Sequence, residues 1–174
     1  MAEFFYCLKN EWGNYFNTLK NISYDKEKKE YMCNCSTLRF DFDMFTENEF
    51  SHPIPSSVDT IMVNENEKII YLIEFKNQTC ANIDNNEVRK KVHDSLNNLP
   101  VLIKNCNVNI KEYDLIVGIV YNDKKVYTYR NRICSSAIQF GLGYFKEQKR
   151  IKNAVTKDIE WFKKEYLRIK RSIK

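Results

Sequence analysis

Val58-Asp59-Thr60-Ile61-Met62-Val63 and Tyr71-Leu72-Ile73-Glu74-Phe75-Lys76 are two largely apolar runs, each carrying a carboxylate near one end; the second adds a lysine. Side chains alternate along a strand, so Glu74, Lys76 and Gln78 share one face while Ile73 and Phe75 point to the other. Asn64-Glu65-Asn66-Glu67-Lys68 separates the runs and is a polar segment of hairpin-loop length. That spacing predicts an antiparallel pair bringing Asp59 near Glu74. Two carboxylates and a lysine gathered at the polar ends of apolar strands point to a metal site.

An Asp at one strand followed by Glu-x-Lys on the next resembles the core signature of the PD-(D/E)xK nuclease superfamily, which has the restriction-endonuclease-like fold. The resemblance implies that Asp59 and Glu74 hold Mg²⁺, for which Mn²⁺ can substitute. It implies that the Phe75 backbone carbonyl completes the shell and that Lys76 orients or deprotonates the attacking water. The chain departs from the pattern at its first element, where Ser57 and Val58 precede Asp59 and Pro55 lies further upstream, so there is no adjacent Pro-Asp. Two accessory roles follow from the same resemblance: Glu11, on the first helix, as an extra metal ligand, and Gln78 as a contact to the scissile phosphate or a base. The function implied is a metal-dependent endonuclease that hydrolyses phosphodiester bonds, with DNA favoured over RNA. The alternatives are a catalytically silent nuclease-fold binding or scaffold protein and an RNA-cleaving toxin or defence effector.

The residue types suit that chemistry. A phosphodiester is anionic and repels hydroxide, so Mg²⁺ held by two carboxylates lowers the pKa of a bound water and neutralises charge on the pentavalent phosphorus. A lysine beside the ion is expected to have its pKa depressed by the positive charge and by partial burial, leaving it able to act on the water. Glu-x-Lys alone is a common surface ion pair. What singles it out here is the apolar strand, the hairpin-spaced Asp and the flanking order.

That order comes from hydrophobic period. Phe5, Leu8, Trp12, Tyr15, Phe16 and Leu19 recur at helical spacing and predict one amphipathic first helix. Leu38, Phe40, Phe42 and Met44 alternate with Arg39, Asp41 and Asp43, predicting a half-buried strand with both aspartates on a solvated face. The Asp59 and Glu74 strands follow, then a helix through Val88, Val92, Leu96 and Leu99 that ends near Pro100. Asp114 to Tyr121 is a buried strand, and Asn122 to Lys125 turns it into a shorter one over Val126–Tyr129. The expected fold is α/β, with an αβββαβ restriction-endonuclease-like core, a mixed central sheet flanked by helices, and a long basic C-terminal helix.

With 174 residues, 43% hydrophobic and 29% charged, the chain is expected to form a single domain. Its core would span about 1–130 and a helical extension about 137–174. No run approaches the ~18 apolar residues of a membrane span, and the chain reads as intracellular: cytoplasmic, or nuclear if eukaryotic or viral. The cysteines at 7, 33, 35, 80, 106 and 134 form no Cys-x-x-Cys pair and are expected to be reduced thiols. From Tyr144 to Lys174 there are 11 Lys/Arg against 4 Asp/Glu, and Ile151, Val155, Ile159, Phe162, Tyr166, Ile169 and Ile173 form an apolar seam. Lys163, Lys164 and Arg168 on that helix, and Arg89, Lys90 and Lys91 behind the Glu74 strand, are candidate nucleic-acid contacts. The seam can instead pair two subunits, and double-strand cleavage by two active sites would favour a homodimer.

Overall fold

The polar linker 64–68 folds as its composition dictates. The Asn64 side chain accepts the Glu67 N–H (3.1 Å), Lys68 takes a left-handed φ of 51°, and the chain reverses. In this computed structural model, which describes residues 3–104, 106, 108–122 and 140–171 with side chains as far as Glu165, the reversal joins β5 (Thr60–Asn64) to β6 (Ile69–Lys76). They pair antiparallel with Thr60 opposite Ile73, so Asp59 arrives beside Glu74 as the hairpin spacing requires.

Six strands form one mixed sheet. β1 (Phe16–Thr18), β4 (Leu38–Asp41), β5 and β6 are antiparallel; β7 (Asp114–Tyr121) and β8 (Asn153–Asp158) then run parallel to β6. A small hairpin, β2 (Tyr24–Asp25) and β3 (Glu30–Tyr31), stands apart from it. Helices cover both faces. On one lie α1 (Phe4–Glu11) and α4 (Asn85–Ile103), whose Phe4, Leu8, Val88, Val92 and Leu99 pack with Ile70, Leu72, Val117 and Ile119. On the other lie α2 (Leu19–Ile22) and the C-terminal helix, whose Leu19, Ile159 and Phe162 pack with Tyr71, Ile73, Phe75 and Val120. β6 is thus apolar on both faces until Glu74, which projects toward α4.

Four expectations need correction. The first helix stops at Glu11. Gly13–Tyr15 is a short 3-10 turn, and Phe16 enters β1 opposite Phe40, where the two rings meet edge-on at 5.7 Å; cross-strand pairing outweighs a helical stripe interrupted by Gly13. The alternating run from Leu38 stays extended only to Asp41, whose carboxylate accepts the Met44 N–H (2.9 Å) and caps α3 (Phe42–Glu49). α4 runs through Pro100 to Ile103 rather than ending there.

The C-terminal segment is not one basic helix. It contains α5 (Gly143–Glu147), then β8 as the sheet's sixth strand, then α6 (Ile159–Arg171). Asp158 sets the last boundary by accepting the Trp161 N–H at 2.7 Å. Val155 therefore belongs to a strand, and the apolar repeat across 151–173 joins two periods. The strand expected over Val126–Tyr129 lies outside the described residues.

The cysteine expectation also fails at one pair. Cys7 on α1 and Cys106 beyond α4 form a disulfide, with Cα atoms 5.7 Å apart. Cys33 is a free thiol, and Cys134 lies outside the described residues. No helix among the described residues is long and apolar enough to cross a membrane.

Candidate active site

Asp59 sits immediately before β5, and its Oδ2 accepts the Phe75 N–H at 2.5 Å, so the hairpin itself fixes this carboxylate. Glu74 lies one residue back on β6 with its side chain 1% exposed. The Lys76 ammonium lies 3.0 Å from Glu74 Oε1 and also pairs with Glu87 at the start of α4. One turn further along that helix, the Lys91 ammonium lies 2.8 Å from Glu74 Oε1 and 3.8 Å from Asp59 Oδ1. Two carboxylates therefore face two ammonium groups at one end of the central β5–β6 pair. Glu74 Oε2 is buried and accepts no hydrogen bond among the described residues.

α4 is aimed at this point by its own cap. Asp84 accepts the N–H groups of Asn86 (2.7 Å) and Glu87 (3.4 Å), starting the helix where Glu87 and Lys91, four residues apart, share the face toward Glu74. Val88 and Val92, each one position on, enter the core.

Burial governs the electrostatics. It raises Asp59 well above the ordinary carboxylate range, Glu74 and Asp43 push the same way, and Lys91 opposes them. Burial raises Glu74 too, with Lys91 and Lys76 pulling back. Burial alone would lower Lys76, but Glu74 and Glu87 outweigh it and the net shift is upward. Lys91 is likewise raised, by Glu74 and Asp59 against its own burial. Facing these carboxylates, both ammonium groups are held charged; the depression expected of Lys76 is that of a lysine beside a bound divalent ion.

The cleft over the site has a volume of about 310 Å³ and includes Asp59, Glu74, Lys76, Gln78, Glu87 and Lys91 in its lining. Its opposite wall is the β2–β3 hairpin, through Tyr24, Asp25 and Lys28. A second hollow meets it at Asp59 and is lined by Asp41, Asp43 and Glu47. The two aspartates expected on a solvated face thus turn toward the site. Asp41 is buried, and Ser57 donates a short hydrogen bond to Asp43. A helix-capping Asp at 41 was the signal available in the sequence, and strand alternation masked it. The hairpin wall had no comparable signal, because two-residue strands leave no period to read.

Of the other residues expected at the site, Gln78 lines the cleft with the catalytic candidates. Glu11 is exposed at the end of α1 and is not part of the cleft lining. Arg89 and Lys90 are exposed on other sides of α4, with the Arg89 stem packed over Gly141. Lys163 pairs with Glu160 at 2.8 Å and Lys164 is exposed, while the Arg168 side chain lies outside the described residues.

Mg²⁺ takes hard oxygen ligands, often only one or two carboxylates with the rest of its shell water. Asp59 and Glu74, with the Phe75 carbonyl between Glu74 and Lys76, are a donor set of that kind, and the orphaned Glu74 Oε2 is an acceptor awaiting a partner. No cluster of three or more His, Cys, Asp or Glu among the described residues is arranged to hold a metal, so an ion here would rely on this sparse set. Compared with known protein families, characterised proteins and solved structures, the chain matches none.

Proposed function

We propose that the protein is a metal-dependent endonuclease of the PD-(D/E)xK type, with the restriction-endonuclease-like fold, and that Asp59, Glu74 and Lys76 are its catalytic residues. One observation carries the reading: the buried Glu74 carboxylate and the partly buried Asp59 carboxylate meet the Lys76 and Lys91 ammonium groups at the floor of an open polar cleft. Burying like charges is costly and is concentrated where chemistry needs it. Asp59, Glu74 and the Phe75 carbonyl would hold Mg²⁺ or Mn²⁺, which supplies charge neutralisation and a more acidic water. Asp59 is oriented by the Phe75 N–H, Glu74 by the strand. Lys76, paired with Glu74 and Glu87, would orient the attacking water or stabilise negative charge on the phosphoryl oxygens. Gln78 stands further along the same wall, in reach of a bound strand. Nucleic acid is the proposed partner, DNA before RNA, with Lys91 the best-placed of the basic residues; a homodimer would supply two sites for double-strand cleavage.

A silent nuclease-fold scaffold is the second reading, favoured by Lys91, which already balances both carboxylates as a structural ion network would. Nicking of supercoiled plasmid and cleavage of structured RNA by the purified protein separate the two. The endonuclease reading expects cleavage with Mg²⁺ or Mn²⁺ that EDTA abolishes; no cleavage of either substrate at any ion concentration favours the scaffold.

A further inference from the structure

Lys91 is placed in a way the proposed reaction does not require. A cation bridging the two candidate ligands would lie between Asp59 and Glu74, and the Lys91 ammonium is there, 2.8 Å from Glu74 Oε1 and 3.8 Å from Asp59 Oδ1. Lys76 pairs with Glu74 and Glu87 and not with Asp59. A divalent ion held by the same two carboxylates would compete with that ammonium for them. Two cations drawn to one pair of carboxylates in a half-desolvated site repel each other.

We propose that Lys91 is an exchangeable internal counter-ion: it occupies the cation position in the metal-free protein and leaves it when a divalent ion enters. The inference rests on the metal-site reading above and adds an exchange step to it. Before exchange, Lys91 balances the buried Glu74 and the partly buried Asp59, whose charges would otherwise cost stability. After exchange, its ammonium stands over a cleft whose proposed occupant is a phosphodiester. Its side chain is 22% exposed and belongs to α4, not to the sheet, so it can swing away without moving either ligand. Metal entry then converts a structural cation into a substrate-facing one.

The test is direct Mn²⁺ binding, followed by the spin-resonance signal of free ion, on full-length wild type and single variants. Lys91→Met should bind Mn²⁺ about tenfold or more tightly than wild type, because a competing cation has been removed. Lys76→Met should gain clearly less, since that lysine does not sit between the ligands. Lys91→Arg should bind more weakly than wild type, because a guanidinium engages carboxylates through two donors. Should Lys91→Met be poorly folded without metal, thermal scans read the same equilibrium: its melting temperature should rise with Mn²⁺ more than that of wild type. Equal gains in Lys91→Met and Lys76→Met, or no gain in either, overturn the exchange while leaving the metal site intact, provided Asp59→Asn still loses binding. Absence of Mn²⁺ binding in every variant overturns the metal site and the exchange together.

Discussion

Lys76 and Cys33 show how the surroundings of a side chain redirect its chemistry. A lysine in a dry pocket loses its proton easily, but Lys76 faces Glu74 and Glu87, which keep it protonated. In the proposed reaction its charge would serve where negative charge develops on the phosphate. Lys76→Met should therefore lower single-turnover cleavage by about 10²-fold or more, the scale of losing one preorganised donor, with nucleic-acid affinity changed little. Lost affinity with normal single-turnover rates would remove it from the chemistry. Burial, with repulsion from Cys35 adding to it, pushes the Cys33 thiol from its ordinary 9.0 up to about 11. Its thiol form is thus favoured by folding, and the associated stability is present below pH 9 and lost as pH rises through about 11. Alkaline titration of thermal stability should show that loss in wild type and not in Cys33→Ala, and iodoacetamide at pH 8 should leave Cys33 largely unmodified.

Elements were legible where one period ran uninterrupted. β5, β6, α4 and β7 each keep their own face buried over several residues, and the hairpin linker fixes which ends meet, so Asp59, Glu74 and Lys76 come together as their spacing suggests. Legibility failed where a local hydrogen bond overrode a longer pattern. Asp41 and Asp158 each turn a strand into a helix through one carboxylate, and apolar repeats that cross such a point look continuous. The same logic made Lys91 one of three equivalent lysine and arginine residues, because its distinction lies in which side of α4 faces the sheet. Asp84 decides that by starting the helix, so Asp84→Ala should cost about 1 kcal/mol of stability. It should also loosen the first turn carrying Glu87, with faster amide exchange there than at Val92 as the check. Equal exchange at both positions would show that packing, not the cap, holds the turn.

At the scale of the molecule, a six-stranded mixed sheet lies between helices, with α1 and the end of α4 bolted together by the Cys7–Cys106 disulfide. The bridge closes a loop of 99 residues, for which chain entropy gives about 4.7 kcal/mol, an upper figure where the reduced chain keeps structure. Urea unfolding of Cys7→Ala should show a loss of several kcal/mol, and a loss under about 1 kcal/mol would mean that the α1–α4 contact holds without the bond. The sheet presents Asp59 just before β5 and Glu74 near the end of β6, beneath a polar cleft, and the central proposal is that this pair works through a divalent ion. Plasmid nicking across a Mg²⁺ titration, run side by side on wild type, Asp59→Asn and Glu74→Gln with folding checked by circular dichroism, tests that claim most directly. The account predicts saturable, EDTA-sensitive cleavage by wild type and about 10²-fold or greater loss in each folded variant. Full cleavage by either folded variant at the same Mg²⁺ concentrations would contradict it.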